Sequence, residues 1–436
     1  MFKRLNYILS VVIALTMILT ACQPKPVAKV VINYWHAASG VAEGAIFNTL
    51  IEEYTKVHPE VEIKVSYNTT LDKVLAAATA GNPPDLFMWW GPQFVGSWAN
   101  AGALEPLDNY LSAGNVDLND ILPGLLKSTT MDGKIYGVPY GTDMSMLIYN
   151  ADLYKVAGLD PDKPPVTTEE LLTYAEKLTI VEGNEIKQIG WLPNYGWTHV
   201  GGDGSISIRY GPTFFNEDGT AGFDDPRWVE VFNFAKWPFA TYGYENVQLF
   251  KTSFGEYGTA QDPMCTGKLA MIYDGEWVAG NYQRNCPNVD LRFVRFPYPA
   301  AHPELKDDFE MGGTTIVMPA TAPQKIEAGK FLAFLMQPEN LARFAYTTGV
   351  GNIPHSIKAL ALYDQYKSQQ PDDFAYFISL AQTVNAAVIP ASPISDEFFT
   401  EIGNTEELIY ADKVTIEQGL ADLQAKLMGI YQDKVK

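Results

Sequence analysis

The stretch from Gly133 to Asn150 restricts the fold more than any other part of this chain. Lys134 to Val138 has the pattern of a short strand that ends at Pro139. Met144 to Tyr149 is a near-continuous apolar run, as in a strand buried on both faces. Between them lie Pro139, Gly141 and Asp143. A chain that leaves one sheet and enters another needs such a joint. A carboxylate at the joint, Asp143, would face the gap between two lobes, where small ligands tend to bind. The plainer alternative is a surface Asp in a loop of a βα protein.

The chain has 436 residues, too many for one compact core, which also argues for two lobes. Its first residues stand apart from the fold. Lys3 and Arg4 precede an apolar run, Ile8 to Leu19, of signal-peptide length. The run ends in Leu19-Thr20-Ala21-Cys22, which resembles the lipobox of bacterial lipoproteins, where the Cys is acylated and becomes the new N-terminus. An ordinary signal peptide with a chance Cys is the alternative. Residues 1–21 are thus expected to be a signal peptide and 22–28 a lipid-anchored tether. Two or three acyl chains anchor stably where one does not.

A net charge of −20 argues against nucleic acid, whose binding rests on Lys and Arg neutralising phosphates. Hydrophobic content of 47% with 19% charged residues is that of a globular chain. Cys265 and Cys286 remain after Cys22, an even pair in an exported chain; a disulfide is expected, with two separate thiols as the alternative.

The first lobe has a βαβαβ pattern. Lys29 to Tyr34 is strand-like, and Ile46, Phe47, Leu50, Ile51, Tyr54 and Val57 recur at helical spacing. Val61, Ile63, Val65 and Tyr67 alternate with polar residues. A second helix from Leu71 stops at Gly81 and Pro83, and Asp85 to Trp90 forms a third strand. Strands alternating with helices imply a parallel sheet whose carboxyl edge takes ligand. Trp35, His36, Trp89 and Trp90 sit just past strand ends, on that edge. The second lobe opens with a capping box, Thr167 with Glu170. An Asp-Gly hairpin spans Phe215 to Ala221, and Asp225 or Asp224 caps the helix after Pro226. Gly267 to Trp277 has the pattern of a buried strand, then a glycine turn into a helix bearing Trp277. Such a helix start offers backbone N–H groups to a ligand. Glu401 to Met428 is expected to be helical with few breakers.

Enzyme signatures are missing. The sequence has no Gly-x-Ser-x-Gly, no His-Glu-x-x-His and no Walker-type loop, and its five histidines show no close metal-ligand pairing. Carboxylates are plentiful, so counting alone does not exclude a glycosidase pair. Aromatic surface plus a few polar groups at strand exits suits a neutral polyhydroxylated ligand. Aromatic faces pack on the C–H faces of a sugar, and carboxylates or amides satisfy its hydroxyls. Trp98, Trp228 and Trp237 are expected in the core.

Several segments together carry a resemblance. They are Pro84 to Trp89 with Ala101 to Leu107, Gly133 to Leu153, Gly267 to Trp277, Gly312-Gly313 with Lys330 to Leu332, and Thr348 to Pro354. In this order the chain resembles the extracellular solute-binding proteins of ABC importers, of the maltose-binding type. The resemblance implies an α/β, two-lobe periplasmic-binding-protein fold, with interleaved lobes joined by a multi-strand hinge that closes over ligand. Lobe 1 would take residues 29–140 and 315–365, lobe 2 residues 141–310 and 370–436. It further implies ligand contacts by Trp35, His36, Trp89, Gln93, Asp143, Trp277, Gly312 and Gly313, with Trp191 and Trp197 as second-lobe contacts. The family type has an Asp-Arg pair where this chain has Pro92-Gln93, so its contacts must differ there. The implied function is carbohydrate delivery to ABC permease subunits by a lipid-anchored monomer on the outer face of the membrane or in the periplasm. No cofactor, metal or catalysis is implied. A polyol phosphate, a polyamine, or a lipoprotein glycosidase or lyase are the alternatives.

Overall fold

Three strands near the N-terminus are apolar on one face or on both, and must bury those faces against something. The computed structural model describes residues 29–38, 44–196, 200–201, 205–347, 353–370, 374–382 and 385–435. It sets β1 (Val30–His36) between β2 (Val61–Ser66) and β3 (Leu86–Trp89), all parallel. The alternation in β2 is that of an edge strand, with Val61 buried and Glu62, Lys64 and Ser66 exposed.

The later strands are β4 (Gly137–Pro139), β5 (Ser145–Asn150), β6 (Ile180–Glu182), β7 (Glu185–Trp191), β8 (Leu269–Gly275), β9 (Leu291–Val294), β10 (Asp308–Glu310), β11 (Thr315–Val317) and β12 (Asn385–Ala387). They complete two five-stranded sheets, ordered β2-β1-β3-β11-β4 and β9-β5-β8-β7-β6. In the first sheet β11 runs antiparallel to both β3 and β4. In the second, β8 is parallel to β7 and antiparallel to β5. All six residues of β5 are buried, because β8 and β9 flank it on both edges.

Each sheet has its own core. Around the first lie Ile32, Tyr34, Phe47, Phe331 and Phe344. Around the second lie Ile148, Trp191, Trp228, Tyr273 and Leu427. The chain passes between them between β4 and β5, between β10 and β11, and again after β12. These crossings are tied together. Met144 bridges Met311 and Thr142 bridges Ile353, while β10 pairs in parallel with β12. Tyr140 N donates to Thr314 O (2.8 Å), Gly141 N to Thr314 Oγ1 (2.9 Å) and Gly312 N to Asp143 O (3.2 Å). The joint expected at Pro139–Asp143 is therefore the crossing between two sheets.

Local sequence chemistry explains much of the rest. Glu170 N donates to Thr167 Oγ1 and Thr167 N to Glu170 Oε2, the two halves of the capping box. Gly219, with φ +85°, closes the Phe215–Ala221 hairpin, and Asp225 accepts from Arg227 N ahead of the helix Arg227–Tyr242. Cys265 and Cys286 form a disulfide with 5.5 Å between Cα atoms.

Three details depart from the sequence expectation. Lys134–Val138 is not one strand: Lys134–Ile135 pairs with Thr130–Met131, and only Gly137–Pro139 enters the first sheet. The C-terminal helix is two helices, Ser395–Tyr410 and Ile416–Lys434, broken where Asp412 takes φ +52°. The helix Phe374–Ala381, grouped with lobe 2 on sequence, buries Phe374 and Phe377 in the first core, with Phe374 6.1 Å from the Tyr346 ring. Its apolar face would suit either core, and only the path of the chain chooses. The expected signal peptide, Cys22 and the tether lie outside the described residues. Among those residues no helix is long and apolar enough to cross a membrane.

Candidate functional site

The carboxyl edge of the first sheet carries aromatic residues because successive strand residues alternate in direction. Trp35 is in register with Phe87, and both lie on the face opposite His36. Trp35 and Trp89 are half-buried against one small cluster of Phe87, Phe94, Trp98 and Val317. Trp89 is also in register with Thr315, and Thr315 with Pro139, so the tryptophan edge runs directly into the crossing. Trp90 extends it and is 41% exposed, an unusual position for an indole. Gln93 is half-buried, and its amide folds over Gly91 so closely that a Cβ there would meet Gln93 Oε1 at 2.3 Å.

The second sheet contributes the facing edge. Ser145 of β5 is in register with Gly275 of β8, which brings Asp143 and Met144 beside Glu276 and Trp277. Met144 N donates to Glu276 Oε2 at 2.7 Å. Trp277 opens the helix Trp277–Asn285 and is half-buried. Its Nε1 donates to Tyr257 Oη (3.0 Å), whose hydroxyl donates to Asp274 Oδ2 (2.8 Å). A bare glycine at 196 lets Tyr257 approach; a Cβ there would sit 2.8 Å from its ring. Gly313, at φ +119°, brings the crossing strand so close to Gly141 that a Cβ would lie 2.3 Å from Gly141 O. Gly312 beside it is half-exposed with open space around its Cα.

The electrostatics of this edge are acidic. Asp143 is hemmed in by protein yet keeps some accessible surface, as a residue in a narrow cleft does. Burial, and then Glu310, push its carboxyl up to about 7. Burial pushes Asp274 up to about 7 as well, against hydrogen bonds from Gly275 N and Tyr257. Glu276 is fully enclosed, and burial followed by Asp143 raises it well above the carboxylate range. Among the described residues no Lys or Arg stands beside Asp143, Asp274 or Glu276 to favour their charged forms. No cluster there has three metal-ligating groups. An aromatic face beside hydrogen-bonding carboxyls can hold a polyhydroxylated molecule, and no cation among these residues is there to pair with an anionic one.

The structure thus brings Asp143, Trp277, Gly312 and Gly313 to the crossing, with Trp35, Trp89 and Gln93 along the first-sheet edge. It does not place His36 or Trp191 on a ligand surface. His36 is fully buried beside Phe47 (ring centroids 4.8 Å) and Tyr67, because it points to the opposite face from Trp35. Its Nδ1 accepts from Ala38 N at 2.9 Å, and burial lowers its pKa to about 3, so it stays neutral. Trp191 pairs with Met271 in mid-sheet, four residues short of the edge, and is fully buried against Phe234 and Phe296. Trp197 lies outside the described residues. Sequence reasoning passed over Glu276, Asp274 and Tyr257. The first was legible as the acid between Gly275 and Trp277, while Tyr257 reaches the site only through the fold.

Comparison with known proteins agrees with this architecture. The family described as bacterial extracellular solute-binding protein matches residues 37–342. The maltotriose-binding protein of Pyrococcus abyssi is 28% identical over 330 residues, spanning 74% of this chain and 65% of that protein. A putative binding protein of Brucella abortus is 26% identical over 414 residues, 89% of this chain and 90% of its own length. A solved structure with mannotriose bound superposes with a TM-score of 0.78 at 28% identity, over 92% of this chain and 100% of that one.

Proposed function

The chain belongs to the bacterial extracellular solute-binding proteins, and we propose that it is the carbohydrate-binding component of an ABC importer. It would bind a mono- or oligosaccharide reversibly between its two sheets, hand it to permease subunits and leave it chemically unchanged. The observation that carries this reading is the meeting of Asp143 and Trp277 at the crossing between the sheets. An indole can stack on a sugar ring there, and the adjacent carboxylate can accept charge-assisted hydrogen bonds from its hydroxyls. A maltotriose-binding relative and a similar structure with mannotriose bound support the ligand class. Among the described residues no Lys or Arg stands beside Asp143 or Glu276 to pair with a phosphate-bearing ligand.

We also infer a lipid anchor at Cys22 and action as a monomer at the outer face of the membrane. The Leu19–Cys22 tetrapeptide supports the anchor. Cys22→Ser would then move the protein out of the membrane fraction with its ligand affinity intact.

The test of function is a thermal-shift screen against mono- and oligosaccharides, followed by calorimetry and chromatography of the recovered sugar. One-to-one binding with intact sugar is expected. Asp143→Ala should weaken it by about 1–3 kcal/mol. A cleaved sugar would move the protein to the enzymes, and no carbohydrate binding at all would defeat the proposal.

A further inference from the structure

Glu276 has features that stacking and hydroxyl recognition leave unexplained. Its side chain is fully buried in the turn from β8 into the helix Trp277–Asn285. One oxygen, Oε2, accepts from Met144 N across the crossing at 2.7 Å. The other, Oε1, has no hydrogen-bond partner among the described residues. An ionised oxygen buried without a partner is costly, so this carboxyl has reason to carry a proton. Asp143, the residue before Met144, stands beside it, and its backbone carbonyl accepts from Gly312 N at 3.2 Å. Glu276 therefore ties the turn that presents Trp277 to the strand that presents Asp143, and that strand to the glycine pair.

We propose that Glu276 is a positioning residue of the cleft, whose protonated carboxyl holds the strand that carries Asp143 against the Trp277 turn through the bond from Met144 N. The charged groups around the pair are acidic on every side that faces it. Asp274 approaches Glu276 from β8. Glu310 approaches Asp143 from β10, itself held by Tyr273 Oη and Ser205 N, both at 2.9 Å. The buried Arg209 interacts with Tyr273, Asp308 and Glu310. Like charges at close range cannot both ionise cheaply, so the pair titrates as a unit. Both carboxyls are displaced upward, by burial first and by a neighbouring carboxylate second. Glu276 is fully enclosed with one unpartnered oxygen, whereas Asp143 keeps some accessible surface, so the proton belongs on Glu276 and Asp143 is the acceptor. The last step, that Asp143 meets a sugar hydroxyl, rests on the proposed function; the protonated Glu276 does not.

The test follows thermal unfolding of the full chain against pH for wild type, Glu276→Gln, Asp143→Asn and the double variant. A raised folded-state pKa means stability that is present below the unfolded value and lost as pH rises through the folded one. Gln keeps an acceptor for Met144 N and cannot ionise. The difference in Tm between Glu276→Gln and wild type should therefore grow in the variant's favour by about 2–4 °C between about pH 5 and about pH 8. In the Asp143→Asn background that growth should shrink, because Asp143 adds to the burial that raises Glu276. Parallel profiles for wild type and Glu276→Gln would overturn the proposal, and so would the same growth with and without Asp143. The profiles need no carbohydrate, so a failure of the proposed ligand class would leave their outcome intact.

Discussion

Gly312 and Gly313 are neighbours at the crossing, yet alanine at the two positions should have opposite consequences. At Gly313 the backbone has φ +119°, outside the range a side chain tolerates. An added Cβ would lie 2.3 Å from Gly141 O, 2.7 Å from Thr142 Cα and 2.9 Å from Gly141 C. All three are backbone atoms and cannot rotate aside. The strained dihedral costs about 1–3 kcal/mol. Relief of the clash must separate the strands, which puts at risk the bonds from Tyr140 N to Thr314 O, Gly141 N to Thr314 Oγ1 and Thr142 Oγ1 to Gly312 O. Losing one or two of these adds about 1 kcal/mol each, so Gly313→Ala should destabilise by about 2–5 kcal/mol. At Gly312 nothing lies within 4 Å of the added methyl and φ is ordinary. Gly312→Ala should stay within about 0.5 kcal/mol of wild type and act on carbohydrate affinity instead. Urea denaturation gives the stabilities, and small-angle scattering reports the spacing of the lobes. A Gly313→Ala protein with wild-type stability and radius of gyration would refute the close approach of these strands.

Trp277→Phe keeps an aromatic face but removes the donor to Tyr257 Oη, and should cost about 0.5–1.5 kcal/mol of stability. Trp277→Ala should in addition weaken carbohydrate binding by about 1–3 kcal/mol in calorimetry; equal affinity in a folded variant would remove Trp277 from the site. The Cys265–Cys286 bond closes a loop with a sequence separation of 21, so Cys265→Ser with Cys286→Ser should lose about 3 kcal/mol in urea denaturation. Thiol titration of the unfolded, unreduced wild type should find neither of the two free. Glu406 is buried beneath Val200 N, and burial raises its carboxyl to about 7. Its stabilising contribution is full below about pH 4 and lost as pH rises through about 7, so Glu406→Gln should gain on wild type by about 1–3 kcal/mol across that window. Flat difference profiles would show Glu406 to be ionised in the folded protein.

Much of the fold was legible because the signals are local. The alternation of Val61 to Ser66, the apolar run before Asn150 and the capping box at Thr167 each depend on residues within a few positions. The crossing at Pro139–Asp143 was legible because a strand pattern stops and another starts there. Misplacements arose where the deciding neighbour is distant in sequence. The helix Phe374–Ala381 is apolar enough for either core, and Asp412 interrupts a helix pattern without a glycine or proline to announce it.

The site divides along the same line. The amino-acid sequence by itself determined that tryptophans leave strands at Trp35, Trp89 and Trp277 and that an acid sits at the joint. Those facts follow from strand length and turn chemistry, which short segments encode. Only the tertiary structure decided which of these residues reach the cleft. His36 follows Trp35 by one residue and is lost to the core, since a one-residue step reverses the direction of a strand side chain. Trp191 ends a strand, but its partner Met271 lies in mid-sheet, so the ring is covered. Glu276 meets Asp143 because β5 and β8 pair in one register, 132 residues apart at the Met144–Glu276 bond. Register is set by how two buried strands fill a shared core, and no local stretch of chain carries that information.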